Sequence, residues 1–217
     1  MARLREMATL DVFGDTAPAC AALAQKEPTL ARALAAIEKP LVRRRDGGFA
    51  GLFRIIVEQQ VSVQSAQAIW GRCRERFDPL TPHLVSQCGA AALKAQGLSG
   101  PKTRYVLGLC DNIASGNLDL DALAAMENAA ALVALQKVKG VGPWTAAIYL
   151  LFCEGRSDIW PPNDVALKHA YNAAKPRRPD YDQRTLDERA ARWAPYRGIA
   201  AHILWTFYAH RRGRTPL

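Results

Sequence analysis

The sequence predicts an all-α fold, and two patterns in it support that prediction. Alanine- and leucine-rich segments carry apolar residues at helical spacing along most of the chain. No run of alternating apolar and polar residues, the pattern of a half-buried strand, competes with them. A chain of 217 residues is long enough to bury a full core, either as one domain or as two small helical lobes around a cleft.

The predicted helices are separated by turn signals rich in glycine, proline and asparagine. Helical spacing covers residues 17–37, 49–59, 63–77, 102–114, 120–135, 144–153, 165–174, 183–191 and 199–210. Turn residues fall at 46–48, 78–79, 98–101, 115–117, 140–143, 160–163 and 175–179. No repeat at a solenoid period is visible in the sequence, which argues against a helical-repeat protein.

The segment from Leu135 to Thr145 predicts two helices joined by a tight glycine turn. Helical periodicity stops at Gly140, and Pro143 begins a second helix. Gly140 and Gly142 allow positive φ and leave the backbone bare, so N–H groups of the turn can point at a phosphate. Such a contact holds DNA without reading its sequence. The alternative is an ordinary packed α-hairpin, in which glycine only ends a helix.

A carboxylate is predicted at the start of a later helix. Asp164 follows Pro161, Pro162 and Asn163, a run that indicates a helix start. In this interpretation Asn163 is the N-cap and Asp164 lies in the first helical turn. Complementing the helix dipole is by itself a sufficient reason for an acid there, whereas its place soon after the hairpin favours a functional role.

The composition favours a polyanionic partner. The 29 Lys and Arg residues exceed the 20 Asp and Glu residues and give a formal net charge of +9. This balance suits DNA, although a merely soluble basic protein shares it. Basic residues cluster at 43–45, 72–76, 102–104, 177–178 and 211–214, and several of these are expected to be solvated faces.

Sequence signals for export, membrane insertion and metal binding are missing. The N-terminal residues contain no apolar signal core, and no stretch approaches about 18 apolar residues. A cytoplasmic protein of bacterial type, associated with the nucleoid through DNA, is therefore expected. The five cysteines include no Cys-x-x-Cys pair, which suits buried thiols in a reducing compartment and excludes an obvious zinc site.

Together these motifs resemble the helix-hairpin-helix (HhH-GPD) DNA glycosylase superfamily, specifically its 3-methyladenine DNA glycosylase II (AlkA) type. The resemblance spans about residues 48–210 and rests on Leu135-x-x-Val138-x-Gly140-Val141-Gly142-x-Trp144-Thr145-Ala146, on Asp164, on Gln59-Gln60-Val61-Ser62 and on Trp193-x-Pro195-Tyr196-Arg197. It implies two helical lobes, with the hairpin and the acid facing each other across a cleft. Residues 1–47 would form an N-terminal helical segment packing on the C-terminal lobe of a glycosylase core at 48–217. Within that core, a central lobe would cover about 48–150 and an acid-bearing lobe about 151–217.

The resemblance implies a monofunctional enzyme of base excision repair that removes alkylated purines, of the 3-methyladenine and 7-methylguanine type, from double-stranded DNA. Asp164 would be its catalytic residue. Bifunctional relatives carry a lysine just after the hairpin, where this chain has Pro143, Trp144 and Thr145, so no abasic-site lyase activity is expected. A non-catalytic helix-hairpin-helix DNA-binding protein and a glycosylase for oxidised or mismatched bases are the alternatives.

The resemblance also implies which side chains flank the damaged base. Gln60, with Gln59 beside it, would be the wedge that fills the duplex when a nucleotide swings out. A polar loop with Ser62 as the N-cap of the next helix is the structural explanation of the same residues. The expected pocket residues are Trp144, Tyr196, Ile148 and Trp160. The three aromatic rings would stack on electron-poor purines or simply pack in the core, and Ile148 makes the pocket less aromatic.

Contacts to the DNA backbone are expected from the hairpin, at Lys139, Gly140, Val141, Gly142 and Thr145. Carbonyl oxygens of Val138, Gly140 and Val141 would hold a structural monovalent cation in such a fold. No cofactor is expected to be required, and the four-cysteine iron–sulfur loop of the endonuclease III branch is missing. We expect a monomer. Three positions depart from the family pattern: Glu58 adds negative charge, Ile148 replaces a tyrosine, and Gly198 replaces a serine.

Overall fold

The computed structural model describes residues 16–176 and 179–213. Within these ranges it is built from helices and contains no β-strand, so the all-α prediction is confirmed. Residues 1–15 of the expected N-terminal segment lie outside the described residues, as do Arg177, Arg178 and Arg214 of the basic clusters. In the described part of the chain, no helix is long and apolar enough to cross a membrane.

The helices are numbered here in chain order. They are α1 Ala17–Lys26, α2 Pro28–Ala35, α3 Gly48–Glu58, α4 Val63–Arg76, α5 Pro82–Ala95, α6 Gly100–Ala114, α7 Leu120–Ala124, α8 Asn128–Gln136, α9 Pro143–Ile148, α10 Val165–Ala174, α11 Gln183–Ala190 and α12 Arg197–Arg211. A π-helical turn, Tyr149–Cys153, continues α9, and a 3₁₀ turn, Ala191–Trp193, continues α11. The chain divides into two compact units, one of residues 45–153 and the other of residues up to 44 together with those from 154 onward.

Helix α3 is the centre of the unit formed by residues 45–153. It packs against α4, α6, α7, α9 and the π-helical turn, because most of its residues are apolar and buried. Gly51 permits this packing: a Cβ there would lie 2.4 Å from the carbonyl oxygen of Asp46 and 2.9 Å from the Cys153 sulfur. This packing positions the end of α3 at Glu58, and the predicted wedge residues Gln59 and Gln60 come next in the chain.

Helix α12 is the corresponding centre of the other unit. It packs against α1, α2 and α10, and its residues from Gly198 to Phe207 are all buried. His202 is fully buried among them. Burial disfavours the charged imidazolium, and Arg43 and Arg44 repel it, so the pKa of His202 falls to about 3. Contacts from α12 to α10 hold the helix that directly follows Asp164.

Two predicted segments differ from the structure, and one helix was not predicted. The segment 17–37 is two helices, since Glu27 is extended and its carboxylate caps α2 by accepting from the Thr29 N–H at 3.3 Å. The segment 120–135 is likewise divided into α7 and α8. Helix α5 was not predicted, although Thr81 caps it by accepting from the Leu84 N–H and proline occupies its first position. Gly89, at φ 70°, kinks α5 and interrupts its periodicity.

Candidate functional site

The predicted glycine hairpin joins α8 to α9. The Val141 N–H donates to the carbonyl oxygen of Val138 at 3.0 Å and closes the turn. Gly140 has φ +92°, and a Cβ at this position would lie 2.2 Å from the nearest ring atom of Tyr105. Glycine is required there on both counts, because a side chain would be strained and would clash. The sequence had suggested only the first reason.

The second glycine differs from the first. Gly142 is exposed and extended, at φ −83° and ψ 177°, and a Cβ there would meet nothing within 4 Å. Its carbonyl oxygen accepts the first helical bond of α9, from the Ala146 N–H at 2.9 Å. Lys139 is exposed, while Val141 and Thr145 are buried. The hairpin therefore exposes the backbone of Gly142, while the neighbouring Val141 and Thr145 are packed in the interior.

The two glutamines after α3 lie in different environments. The side-chain amide of Gln59 donates from Nε2 to the Gly140 carbonyl oxygen and to Thr145 Oγ1, each at 3.0 Å. Gln60 is exposed at φ +53°. Ser62 is the N-cap of α4 and accepts from the Ser65 N–H at 3.2 Å, so the capping explanation holds for Ser62 alone. Gln59 fastens this loop to the hairpin, and Gln60 forms its exposed tip.

The carbonyls suggested for a cation have other partners as well. Val138 accepts from Val141, and Gly140 accepts from Gln59. Because a carbonyl oxygen has two lone pairs, each can accept one hydrogen bond and still face a cation, so the hairpin is compatible with such an ion. Among the described residues, no group of three or more His, Cys, Asp or Glu side chains could hold a metal ion.

Glu58, the unexpected negative charge near the predicted wedge, is neutralised inside its own unit. Its Oε2 pairs with Arg45 Nη1, and its Oε1 pairs with Arg54 Nε at 3.0 Å. Lys102 donates from Nζ to the carbonyl oxygen of Val57 at 2.7 Å, and burial lowers the pKa of this lysine. Arg45, Arg54 and Lys102 thus hold the end of α3.

Asp164 is itself the N-cap of α10, so the prediction that Asn163 is the cap is wrong. The carboxylate Oδ1 accepts from the Leu167 N–H at 2.9 Å. Asn163 adopts φ +60°, a left-handed conformation that asparagine tolerates. The helix therefore starts one residue later than predicted. Asp164 is only 8% exposed. The capping bond fixes the orientation of the carboxylate in a nearly dry environment.

The segment that leads to Asp164 is held at both ends. Arg197 donates to both carboxylate oxygens of Asp158, from Nε at 2.7 Å and from Nη2 at 2.9 Å, and this pairing raises the pKa of Arg197. The Gly198 N–H donates to the Ser157 carbonyl oxygen at 2.8 Å. Further along, Trp160 and Asn163 both donate to Asp187. Neither Asp158 nor Asp187 was predicted from the sequence to hold this segment.

The four suggested pocket residues fall into two groups. Trp144 and Ile148 both belong to α9; Trp144 is 37% exposed, whereas Ile148 is 3% exposed and part of the core. Trp160 and Tyr196 belong to the unit that carries Asp164, and both are half-buried. The Trp160 ring meets the Trp193 ring edge-on at 5.3 Å between centroids. Trp144, Trp160 and Tyr196 are therefore partly accessible, and Ile148 is not.

Comparison with known proteins identifies relatives of the chain. A sequence model of HhH-GPD superfamily base excision DNA repair proteins matches residues 53–195. A probable bifunctional transcriptional activator/DNA repair enzyme AlkA of Mycobacterium tuberculosis is 31% identical over 173 residues, which cover 75% of this chain and 34% of that protein. DNA-3-methyladenine glycosylase 2 of Escherichia coli is 26% identical over 163 residues, which cover 70% of this chain and 55% of that protein. The chain thus spans only a part of the length of these two relatives.

A solved structure matches over nearly the whole chain. DNA-3-methyladenine glycosidase of Bacillus halodurans is similar with a TM-score of 0.79 and 26% sequence identity, over 94% of this chain and 95% of that chain. The residues that match the family model include both the glycine hairpin and the capping carboxylate of Asp164. The chain belongs to the HhH-GPD superfamily of base excision DNA repair proteins.

Proposed function

We propose that this protein is a monofunctional DNA glycosylase that hydrolyses the N-glycosidic bond of alkylated purines, of the 3-methyladenine and 7-methylguanine type, in duplex DNA. The observation that carries the proposal is Asp164, an oriented carboxylate that is 8% exposed and caps the start of α10. The relatives named above as 3-methyladenine glycosylases support the choice of substrate class.

One carboxylate is enough for this reaction because an alkylated purine is already cationic. When the bond from the sugar to the base breaks, the electron pair leaves with the base and neutralises it, so the leaving group needs no proton from a second acid. Positive charge develops on the deoxyribose instead. Water then forms a bond to the anomeric carbon and loses a proton, with Asp164 as its guide or general base.

The size of the electrostatic effect follows from Coulomb's law. A carboxylate at about 4 Å from the cationic sugar, with an effective dielectric constant of about 20, stabilises it by roughly 4 kcal/mol. That is worth about a thousandfold in rate. The low exposure of Asp164 matters here, because bulk water around the carboxylate would screen most of the attraction.

The hairpin and its neighbouring loop supply the grip on DNA in this proposal. The backbone at Gly142 and the start of α9 hold a phosphate, with Lys139 contributing charge. A monovalent cation on the Val138, Gly140 and Val141 carbonyls would add positive charge beside that phosphate. Gln60 enters the duplex and bonds to the orphaned base, at the cost of the apolar stacking that a leucine gives.

The rings of the exposed Trp144 and of the half-buried Trp160 and Tyr196 are proposed to stack on the swung-out purine. No lysine follows the hairpin, since Pro143, Trp144 and Thr145 occupy the start of α9. Lyase chemistry needs an amine that forms a Schiff base with the sugar. We therefore propose hydrolysis that leaves an intact abasic site.

The test is base release from defined duplexes that carry 7-methylguanine, 8-oxoguanine or a mismatch, measured by chromatography, followed by alkali. Release of free methylpurine together with alkali-labile breaks is the expected result. Salt-sensitive binding without release would identify a binding module, and release of 8-oxoguanine alone would identify an oxidised-base enzyme. Borohydride treatment during the reaction should trap no covalent protein–DNA adduct, and a trapped adduct would contradict the monofunctional assignment.

A further inference from the structure

Asp187, on α11, binds both ends of the short turn that delivers Asp164. Its Oδ1 accepts from the Trp160 indole Nε1 at 2.8 Å, and its Oδ2 accepts from the Asn163 backbone N–H at 3.0 Å. Gln183, one turn earlier on α11, donates to the same Oδ1 at 3.2 Å. Each oxygen of one carboxylate therefore accepts from a different end of the segment 160–163.

The middle of the turn cannot donate backbone hydrogen bonds. Its two middle residues are Pro161 and Pro162, which have no N–H to donate. The Asn163 N–H is the backbone donor immediately before Asp164, and it belongs to the residue with φ +60°. A left-handed residue persists only when its surroundings hold it there. The bond from this N–H to Asp187 is such a restraint.

A second layer holds Asp187 and Trp160 in place. Trp193 packs edge-on against Trp160, and its indole Nε1 donates to Glu27 Oε2 at 3.4 Å. Arg189, two residues after Asp187 on the same helix, donates to the same Glu27 oxygen at 2.7 Å. Glu27 is 3% exposed. Trp160 therefore packs on Trp193, and both Trp193 and the helix of Asp187 are tied to the buried carboxylate of Glu27.

We propose that Asp187 is a positioning residue for catalysis, which sets the place and direction of the Asp164 carboxylate. This inference rests on the proposed function of Asp164. Displacement of a catalytic group by about 1 Å can cost on the order of a hundredfold in rate. Replacing Asp187 by Asn keeps the size of the side chain but turns one acceptor oxygen into an NH₂ donor. That donor would face an N–H group, so the turn would be released at one end.

The experiment compares Asp187→Asn with Glu188→Gln in the whole protein. Glu188 is the next residue on α11, has a side chain that is 65% exposed, and pairs with Arg184 in the same helix. Two quantities are measured: the single-turnover rate of 7-methylguanine release and the dissociation constant for duplex DNA with an abasic-site analogue. We expect Asp187→Asn to lower the rate about ten- to a hundredfold with DNA affinity unchanged, and Glu188→Gln to leave both as in the wild type.

A double-mutant cycle separates positioning from general destabilisation. If Asp187 acts through Asp164, adding Asp187→Asn to Asp164→Asn causes no further loss of rate. Full additivity of the two losses would overturn the inference, as would a wild-type rate for Asp187→Asn. Where Asp187→Asn fails to fold, Asp187→Glu replaces it, since glutamate keeps the charge and both acceptor oxygens but places them one methylene group further from α11. It should also slow release at constant affinity, and a wild-type rate would overturn the inference.

Failure of the proposed function gives a different pattern. If Asp164→Asn releases the base at the wild-type rate, the catalytic assignment fails and the role of Asp187 fails with it. If Asp164→Asn abolishes release while Asp187→Asn, or Asp187→Glu in its place, releases the base normally, only the positioning role is overturned.

Discussion

Replacing each hairpin glycine with alanine separates the folding role of the turn from its contact with DNA. At Gly140 a non-glycine residue at φ +92° costs about 1–3 kcal/mol in backbone strain. The Cβ would also lie 2.2–2.7 Å from three ring atoms of Tyr105, and overpacking of this kind costs about 1–3 kcal/mol more. The two costs add to about 2–6 kcal/mol, a large share of the roughly 5–15 kcal/mol that stabilises a typical protein.

Gly142→Ala is the matched control for the stability of Gly140→Ala. It also tests whether the backbone at Gly142 contacts a phosphate of DNA. Its φ of −83° suits any residue, and its Cβ would lie in open space, so the free energy of unfolding should stay within about 1 kcal/mol of the wild type. A methyl group would nevertheless stand between the backbone and a phosphate. Losing a hydrogen bond to a charged group costs about 1.5–3 kcal/mol, so DNA affinity should fall about ten- to a hundredfold.

Thermal unfolding and fluorescence anisotropy with a labelled duplex measure the two effects. Gly140→Ala should lower the melting temperature by several degrees, because about 1 kcal/mol shifts it by about 2–4 °C in a chain of this size. Gly142→Ala should melt like the wild type but bind weakly. Wild-type affinity of Gly142→Ala would refute the close approach of backbone to phosphate, and wild-type stability of Gly140→Ala would refute the steric argument.

Two further predictions follow from shifted pKa values. Because the pKa of His202 is about 3 in the folded protein and about 6.5 in the unfolded chain, the unfolded chain binds more protons between these values. The stability from neutral His202 is therefore complete above pH 6.5 and is lost as the pH falls towards 3. Between pH 7 and pH 5 this lowers the free energy of unfolding by about 2 kcal/mol. Denaturant unfolding should show that decline in the wild type and not in His202→Gln, and equal pH dependence of both proteins would contradict it. Burial raises the pKa of Cys73 to about 11 and that of Cys110 to about 12. At pH 8, iodoacetamide should label the half-buried Cys20 and Cys88 in the native protein before these two, as peptide mass spectrometry would show, and rapid labelling of Cys73 would contradict the structure.

Local signals in the sequence predicted the hairpin. Pro143 marks the start of α9, and Gly140 lies in the turn, although α8 already ends at Gln136. Both signals depend on the backbone of a single residue. The same reasoning failed at Asn163, because the sequence does not reveal that its φ is positive. A one-residue change in φ was enough to make Asp164 the N-cap instead of a first-turn residue.

Contacts between distant residues could not be predicted in this way. The bond from Gln59 to Gly140 joins residues 81 positions apart, and Gln59 had been grouped with the wedge because of its neighbour Gln60. Asp187 lies in Gln183–Ala190, a strongly polar helix with the composition of a solvated surface. Nothing in its sequence distinguishes Asp187 from Glu188. Only the folded chain shows that one binds the turn before Asp164 while the other pairs with Arg184.

The rate of base release by Asp164→Asn decides whether this protein works through a single oriented carboxylate. Asparagine caps helices about as well as aspartate, so the variant should keep the Leu167 bond, its melting temperature and its affinity for abasic-analogue DNA. With the negative charge gone, the single-turnover rate on 7-methylguanine DNA should fall about a thousandfold. A rate near that of the wild type, or equal losses of rate and of DNA affinity, would contradict the role given to Asp164.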